Sequence, residues 1–556
     1  MRSTRWMSAS GVAVVGLVST LAPAPGAEAT THYVDEGGTG SAPCVKRSKP
    51  CDEIAGAITA AGIGDRIYVG AGTYDDPVLI QGIKVIRDRR KFARGSGPAV
   101  LDNGSVVDGD ESSPAVLPGD GALVRNLTIR SPERPVRTIG AATLRHNVFD
   151  QADPPAVASL TPDCARPLVE ISNGNGGSEL RDNTFDDPLG EASGDQVGVC
   201  TPPTTEAEIR GNRFENLVNA VRIEGGSGDA DAESVVDGNS ITDVREGTSI
   251  GGAGIFVRGA VPTITGNAIG PAAQTTPGSA GIAFGSLAPV PTGATLARNR
   301  IHGFNVGVDV FETDGPVTMN GDMIVGNSTG IDSSDLGDNG GGNVTARFVT
   351  VFGSSTHDVL LKNSVLTLSS SIIGAAGIDR DDDIGFSTCA ITFSRGPATS
   401  ADTCEQFATT ADPQFADAAG GDFHLTAGSP MIDASGEAPE GGAMDVDRDP
   451  RPLDGDCPEG QLAVADIGAD ELNCAPETKA RGPKGRTDDR TPTYRLRSTD
   501  SGSSFRCKVD RKRYKRCRKR ATFHLDPGAH RLRFRAMDPQ GNLDATPAKR
   551  KLKVAR

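Results

Sequence analysis

Arginine, carboxylate and phenylalanine recur at alternate positions of five short segments, a mixture suited to handling a saccharide. The segments are AVRIEG (220–225), GIFVRG (254–259), GIAFGS (281–286), GVDVFE (307–312) and GIDSSD (330–335). Period-2 alternation sends Val221, Ile223, Ile255, Val257, Ile282, Phe284, Val308 and Val310 to one side. The other side receives Arg222, Glu224, Phe256, Arg258, Asp309, Phe311 and Asp332. Arg222, Arg258 and Asp309 are the candidates for acid–base work there. Phe256, Phe311, Glu224 and Asp332 are the candidates for holding a sugar by stacking and hydrogen bonds. An ordinary solvated sheet face carries the same alternation, and the pattern alone does not separate the two.

Two further clusters have chemical potential. Arg511, Lys512, Arg513, Lys515, Arg516, Arg518, Lys519 and Arg520 crowd one short stretch around Tyr514 and are set to attract a polyanion. Asp379, Asp381, Asp382 and Asp383 form an acidic loop with the oxygen ligands calcium prefers. A solvated acidic loop has the same composition. Asp445, Asp447 and Asp449 begin like a calcium loop, but Pro450 stands where such a loop needs Gly. No cofactor is expected, calcium being the one ion with candidate ligands.

The wider inventory argues against a familiar carbohydrate enzyme. There is no Lys between residues 92 and 361, no Tyr between 75 and 493, and the single Trp is Trp6. Tyr and Trp are the usual stacking platforms for sugars. His146, His302 and His357 stand alone in the sequence and read as surface or turn residues.

The elements that would position these residues show as a recurring phrase. LRHNVF (144–149), LRDNTF (180–185), IRGNRF (209–214), VDGNSI (236–241), ITGNAI (264–269) and LARNRI (296–301) each place one Asn between two aliphatic or aromatic positions. The asparagines are Asn147, Asn183, Asn212, Asn239, Asn267 and Asn299, spaced by 27 to 36 residues. Self-similarity at such a period marks a solenoid whose units bury their apolar faces against one another. An Asn at the same bend of successive units can form a hydrogen-bonded ladder, so these asparagines are expected to be structural.

Composition divides the chain. From residue 475 to 556 there are 25 Lys+Arg against 8 Asp+Glu, and the remainder carries 32 against 64. The basic end has short alternating segments with frequent turn signals, which predict a small antiparallel sandwich. At the other end, Arg2 and Arg5, an apolar run over 11–22 and Ala27-Glu28-Ala29 read as a signal peptide ending at Ala29. No second membrane segment follows, so the mature chain is expected outside the cell, secreted or at its surface. Ten cysteines agree with export, and pairing in sequence order is expected: Cys44–Cys51, Cys164–Cys200, Cys389–Cys404, Cys457–Cys474 and Cys507–Cys517.

A short helix expected from an Asp52 cap through Ala61, followed by GDRIYVGAGTY, resembles the start of secreted right-handed parallel β-helix proteins of the pectin-lyase-like fold. The run DPQF (412–415), GSPMID (428–433), DVDRDPRP (445–452) and DIGADE (466–471) resembles the closing segment of a group of bacterial surface β-helix proteins. Arg448 stands where that group usually has Gly. GAHRLRFRAMDPQGN with its paired Cys resembles bacterial immunoglobulin-like repeats. The resemblance implies an all-β chain: a signal peptide (1–29), a right-handed parallel β-helix (30–474) and a basic immunoglobulin-like β-sandwich (475–556). Within the β-helix, a helical cap is expected over 30–75, roughly ten coils, and a closing segment at about 379–474.

This fold hosts polysaccharide lyases and hydrolases as well as non-catalytic surface proteins. The Gly-His-Gly motif of polygalacturonases does not occur here. The expectation is therefore a non-catalytic surface protein binding a polysaccharide or anionic cell-envelope polymer, with no nucleic-acid partner. The alternatives are a lyase or hydrolase on acidic polysaccharide, using the Arg222/Arg258/Asp309 face, and a structural spacer.

Overall fold

The computed structural model describes residues 29–555 except 75–77, 89–90, 93–97, 103–115, 132–135, 152–166, 172–176, 188–195, 204, 226–233, 246–251, 273–277, 286–291, 312, 314, 335–341, 381–386, 398–406, 440–442, 453–463, 473–475, 500–501, 538–542 and 545. The predicted signal peptide up to Glu28, Asp381, Asp382, Asp383, and Cys164, Cys404, Cys457 and Cys474 thus lie outside the described residues.

Three long parallel sheets, of 14, 12 and 12 strands, run the length of a right-handed β-helix. Successive strands visit the sheets in turn. Thr143–Arg145 (sheet 1), Val148–Gln151 (sheet 2) and Pro167–Ile171 (sheet 3) form one coil, and Ser178–Arg181, Thr184–Asp186 and Val197–Thr201 the next. The coils exceed the ten expected because those before residue 140 lack the Asn phrase by which the repeat was recognised. Leu144, Leu180, Ile209, Val236, Ile264 and Leu296 stack in register inside, all fully buried. Beside them Phe149, Phe185 and Phe214 stack with centroids 4.8 and 4.5 Å apart.

The bend from sheet 1 to sheet 2 explains the recurring phrase. The residue before each Asn has a left-handed backbone (His146, Asp182, Gly211, Gly238, Gly266, Arg298), a conformation in which Gly carries no steric cost. Each asparagine then bonds to the next coil: Asn183 N and Nδ2 both donate to Asn212 Oδ1 (2.9 and 3.0 Å), and Nδ2 also donates to the Leu144 carbonyl (2.9 Å). The pattern repeats through Asn299, whose acceptor is the buried Asp322. At the corner leading into sheet 3, Gly254, Gly281, Gly307 and Gly330 leave room for nothing larger. A Cβ on Gly307 would lie 2.5 Å from Ile324 Cγ2 and 2.6 Å from the Gly330 carbonyl oxygen.

At the start, strand Thr31–Val34 pairs with Arg66–Val69, and the helix Ile54–Ala60 packs Ile54 and Ala57 into the core. Asp52 does not cap this helix. Its carboxylate accepts from the Gly37 amide, and Glu53 occupies the cap position without a side-chain bond. Cys44–Cys51 staples this region. Cys200 and Cys389 are also disulfide-bonded.

The closing segment folds back along the Asn-ladder flank instead of extending the coil. Phe415 and Phe423 pack edge-on against Phe352 of sheet 2, 5.0 and 6.0 Å between centroids. Arg451 pairs with Glu471 at 3.2 Å, both side chains 1% exposed, and lies 4.6 Å from the Phe348 ring.

From Thr478 onward, a three-stranded and a five-stranded sheet share one core of Tyr494, Leu496, Phe505, Leu532, Phe534, Leu552 and Val554. Cys507–Cys517 joins the two strands of a hairpin at the edge of the larger sheet. Among the described residues no helix is long and apolar enough to cross a membrane.

Candidate functional site

Sheet 3 carries the residues of the alternating segments, and its register fixes their neighbours. Arg222, Phe256, Ala283, Asp309 and Asp332 face one another across successive coils, as do Glu224, Arg258 and Gly285. The small residues Ala283 and Gly285 split this face into two clusters.

In the first cluster Glu224 is the hub. Arg222 Nε donates to Glu224 Oε1 (2.5 Å) and Arg258 Nε to Glu224 Oε2 (2.7 Å). Arg222 lies 4.6 Å from the Phe256 ring centroid, a cation–π contact. Arg222 and Glu224 are only 2% and 6% exposed, whereas a solvated face would leave them open. Phe256 also packs on Ala253, Ala280 and Ala283. The cluster is a charge network in which one buried carboxylate is shared by two guanidinium groups, Arg258 reaching solvent.

Asp309 and Asp332 form the second cluster, on adjacent coils. Burial, with the Asp332 charge beside it, pushes the Asp309 carboxyl up to about 7. Burial raises Asp332 too, while the Ser334 hydrogen bond and His357 pull it down. His357 Nε2 lies 3.0 Å from Asp379 Oδ2, which ties Asp379 to this face. Phe311 is half-buried, beside Ser334 in register. The geometry therefore does not place Arg222 or Arg258 next to Asp309, as a lyase-type base and carboxylate would require. It places a carboxylate pair there.

A group of one histidine and three carboxylates in the closing segment, of which only Asp470 is buried, was read from the sequence through Asp447 alone. His424 Nδ1 and Nε2 contact Asp422 (2.5 Å) and Asp447 (2.6 Å), and Asp470 completes a group whose ligand atoms lie within 4.8 Å of one another. The hydrogen bond to Asp447 raises His424 to about 9, and the same bond lowers Asp447 to about 2. A protonated imidazole thus fills the position between the carboxylates. Arg300 donates to Asp447, and Asp470 Oδ2 accepts from the Leu425 amide. Asp445 Oδ1 accepts the amides of Asp447 and Asp449 (2.9 and 2.7 Å), and its Oδ2 accepts that of Glu471 (3.0 Å). The calcium-like spacing of DVDRD is thereby a turn held on one buried carboxylate, with Arg448 left-handed where Gly is usual.

The basic stretch forms the Cys507–Cys517 hairpin and the strand after it. All eight cations from Arg511 to Arg520 are exposed. Lys512, Arg513, Lys515, Arg516, Arg518 and Arg520 line a cleft of about 690 Å³, with Asp510 and Asp526 its acidic residues. Tyr514 is held between Lys508 Nζ (5.6 Å) and Arg535 (5.2 Å).

The family model described as "Right handed beta helix region" matches residues 168–346. No curated protein matches this chain. Among solved structures, the pectate lyase Pel9A is similar at 15% identity with a TM-score of 0.37, covering 81% of this chain and 98% of its own. XylC, in a complex with xylose, is similar at 12% identity and a TM-score of 0.39, covering 79% and 98%. A rhamnogalacturonan lyase is similar at 11% identity and a TM-score of 0.28, covering 70% and 90%. The chain contains a right-handed parallel β-helix region, consistent with its three-sheet coil.

Proposed function

We propose that this chain is an exported, non-catalytic surface protein that attaches to an anionic polysaccharide or other anionic envelope polymer through its basic C-terminal module. On this reading residues 1–29 are removed as a signal peptide, 30–474 form a rigid acidic stalk, and 475–556 are an immunoglobulin-like domain. The supporting observation is the disulfide-clamped hairpin and the strand after it: eight exposed cations, six of them lining a cleft with two acids. Clustered cations of one sign raise the local concentration of a polyanion and speed its capture. The test replaces Arg511, Lys512, Arg513 and Arg518 by Gln in the full chain and measures binding to polygalacturonate. At least a tenfold loss is expected; unchanged affinity refutes the reading.

The Asp309/Asp332 pair favours a second reading, a polysaccharide hydrolase. A carboxyl held near neutrality beside a second carboxylate is suited to general acid catalysis. It requires that the chain release reducing ends from an acidic polysaccharide and that Asp309→Asn stop the release.

A further inference from the structure

The eight strands of the C-terminal module contain 17 Lys and Arg residues and no Asp or Glu. The acids of this region are in the turns. On the five-stranded sheet, Phe505, Cys507, Leu532, Phe534, Leu552 and Val554 point into the core. The alternate positions are therefore all on the outer face.

The register places cations directly opposite one another there. Lys549, Arg533 and Lys508 form one row across three strands, and Arg535, Arg506 and Arg516 form the next. Arg531 faces Lys551, and Arg486 faces Lys553. Like charges directly opposite are destabilising. Elsewhere in the chain such rows are neutralised: Arg181 and Arg210, neighbours on sheet 1, reach Glu179, Glu208 and Asp237. On the outer face of the five-stranded sheet the strands supply no acid at all. The hairpin is the rim of this face, since Arg516 belongs to both and Tyr514 is seated on Lys508 and Arg535.

We infer that the outer face of the five-stranded sheet is itself a binding surface for a linear acidic polysaccharide carrying one carboxylate per sugar, laid across the strands. The inference rests on the proposed attachment through the basic module and extends it from the hairpin to the sheet. Neighbouring strands lie ~4.8 Å apart, so each row presents cations at a regular short spacing that a repeating anionic chain can follow. The cations of the face itself sit on the strands of one sheet, with no helix there to enter a duplex groove. Single-stranded nucleic acid needs aromatic platforms, and the one aromatic on this face, Tyr514, is already covered by two cations. Among the described residues, no large exposed hydrophobic side chain that could act as a membrane wedge lies in this module.

The experiment uses the full chain with Arg531, Arg533 and Lys549 replaced by Gln, positions outside the hairpin. Binding to polygalacturonate is measured over a range of salt concentrations and compared with wild type and with the hairpin variant (Arg511, Lys512, Arg513 and Arg518 to Gln). The sheet variant is expected to bind at least tenfold more weakly at low salt. The slope of log affinity against log salt should shallow by about two, from about 0.7 per neutralised cation. Because three opposed charges are gone, its melting temperature at low salt should equal or exceed that of wild type, which separates lost binding from lost folding. A sheet variant that binds like wild type while the hairpin variant fails would overturn this inference and leave the attachment standing. Wild type that does not bind polygalacturonate would overturn both. Tighter binding to duplex DNA or to phosphatidylglycerol vesicles than to polygalacturonate would overturn the choice of polysaccharide.

Discussion

Replacing Asp322 by Asn should stabilise the β-helix, and by an amount that depends on pH. Asp322 occupies the bend position that Asn fills in the six coils before it, fully buried, and accepts from Asn299 N and Nδ2 at 2.8 Å and from Asn320 N at 3.1 Å. An Asn there would gain an Nδ2 donor for the previous coil, where the established pattern points to the Leu296 carbonyl, and would lose the Oδ2 that accepts the Asn320 amide. Burial outweighs these three bonds and pushes the Asp322 carboxyl up to about 7. Between an ordinary carboxyl value and 7, the folded protein holds a proton that the unfolded chain has released. Raising pH through this window therefore destabilises the fold. The full cost above pH 7 is on the order of 4 kcal/mol, while the donor gained and the acceptor lost, each worth about 1 kcal/mol, roughly offset one another.

The assay is thermal unfolding followed by far-ultraviolet circular dichroism between pH 4 and 8.5, comparing melting temperatures at each pH because a long repeat array need not unfold in two states. Asp322→Asn should melt well above wild type at pH 8, with the gap shrinking to a small residue at pH 4. A gap of constant size, or a variant less stable at pH 8, would refute the argument that an ionised carboxylate is buried in the ladder. Asn267→Asp should impose the same pH dependence at a position that lacks it.

Gly307→Val should cost more than about 3 kcal/mol, seen as loss of soluble protein or a sharply lowered melting temperature, because its side chain would meet the Gly330 carbonyl and Ile324. Glu471→Gln should destabilise by about 1–3 kcal/mol, because the buried Arg451 loses its 3.2 Å partner while Asp445, Asp466 and Asp470 remain near it, and limited proteolysis should then cut the closing segment first. The contact of His424 with Asp447 should weaken as pH rises from about 6.5 through 9. A histidine raised on folding adds stability that is complete below its unfolded value and lost above its folded one. Hydrogen exchange over 415–425 that speeds up across that range, and does so less in His424→Gln, is the expected result. Equal exchange rates in both proteins would argue against it.

The coil was legible because its signals are local and repeated. A buried aliphatic position, a left-handed residue and an Asn recur together, and each has a reason within one bend. The inward set Val221, Ile223, Ile255 and Val257 followed from alternation alone. The closing segment was legible only as a resemblance. Its carboxylates gain meaning from partners far away in sequence, such as Arg300 with Asp447 and Arg347 with Glu437, so spacing suggested an ion loop where the fold builds a turn. The sheet 3 face was half legible. Alternation gave the columns, but the burial of Arg222 and the separation of Arg258 from Asp309 depend on which small residue lies between them. Asp322 was missed because its coil lacks the Asn that marks the phrase.

Stacking in register forces a choice on every charged column, and the choices separate scaffold from site. Arg130 faces Asp150 across one pair of coils, and Arg137 faces Glu170 across another, so opposite charges meet by register. Arg181 and Arg210 stack like with like, yet Arg181 reaches Glu208 in the neighbouring column and Arg210 reaches Asp237, its register partner on the next coil. These arrangements cost little and need no partner from outside. Two places stand out among the described residues. Asp309 faces Asp332, and half-burial turns the conflict into a carboxyl titrating near neutrality. On the outer face of the C-terminal module, cation faces cation in row after row with no acid on the strands. Repulsion retained at these two places, in a chain that neutralises it along the coil, is the physical reason to look for ligands there first. Of the two, the larger number of exposed and uncompensated charges makes the C-terminal module the stronger attractor.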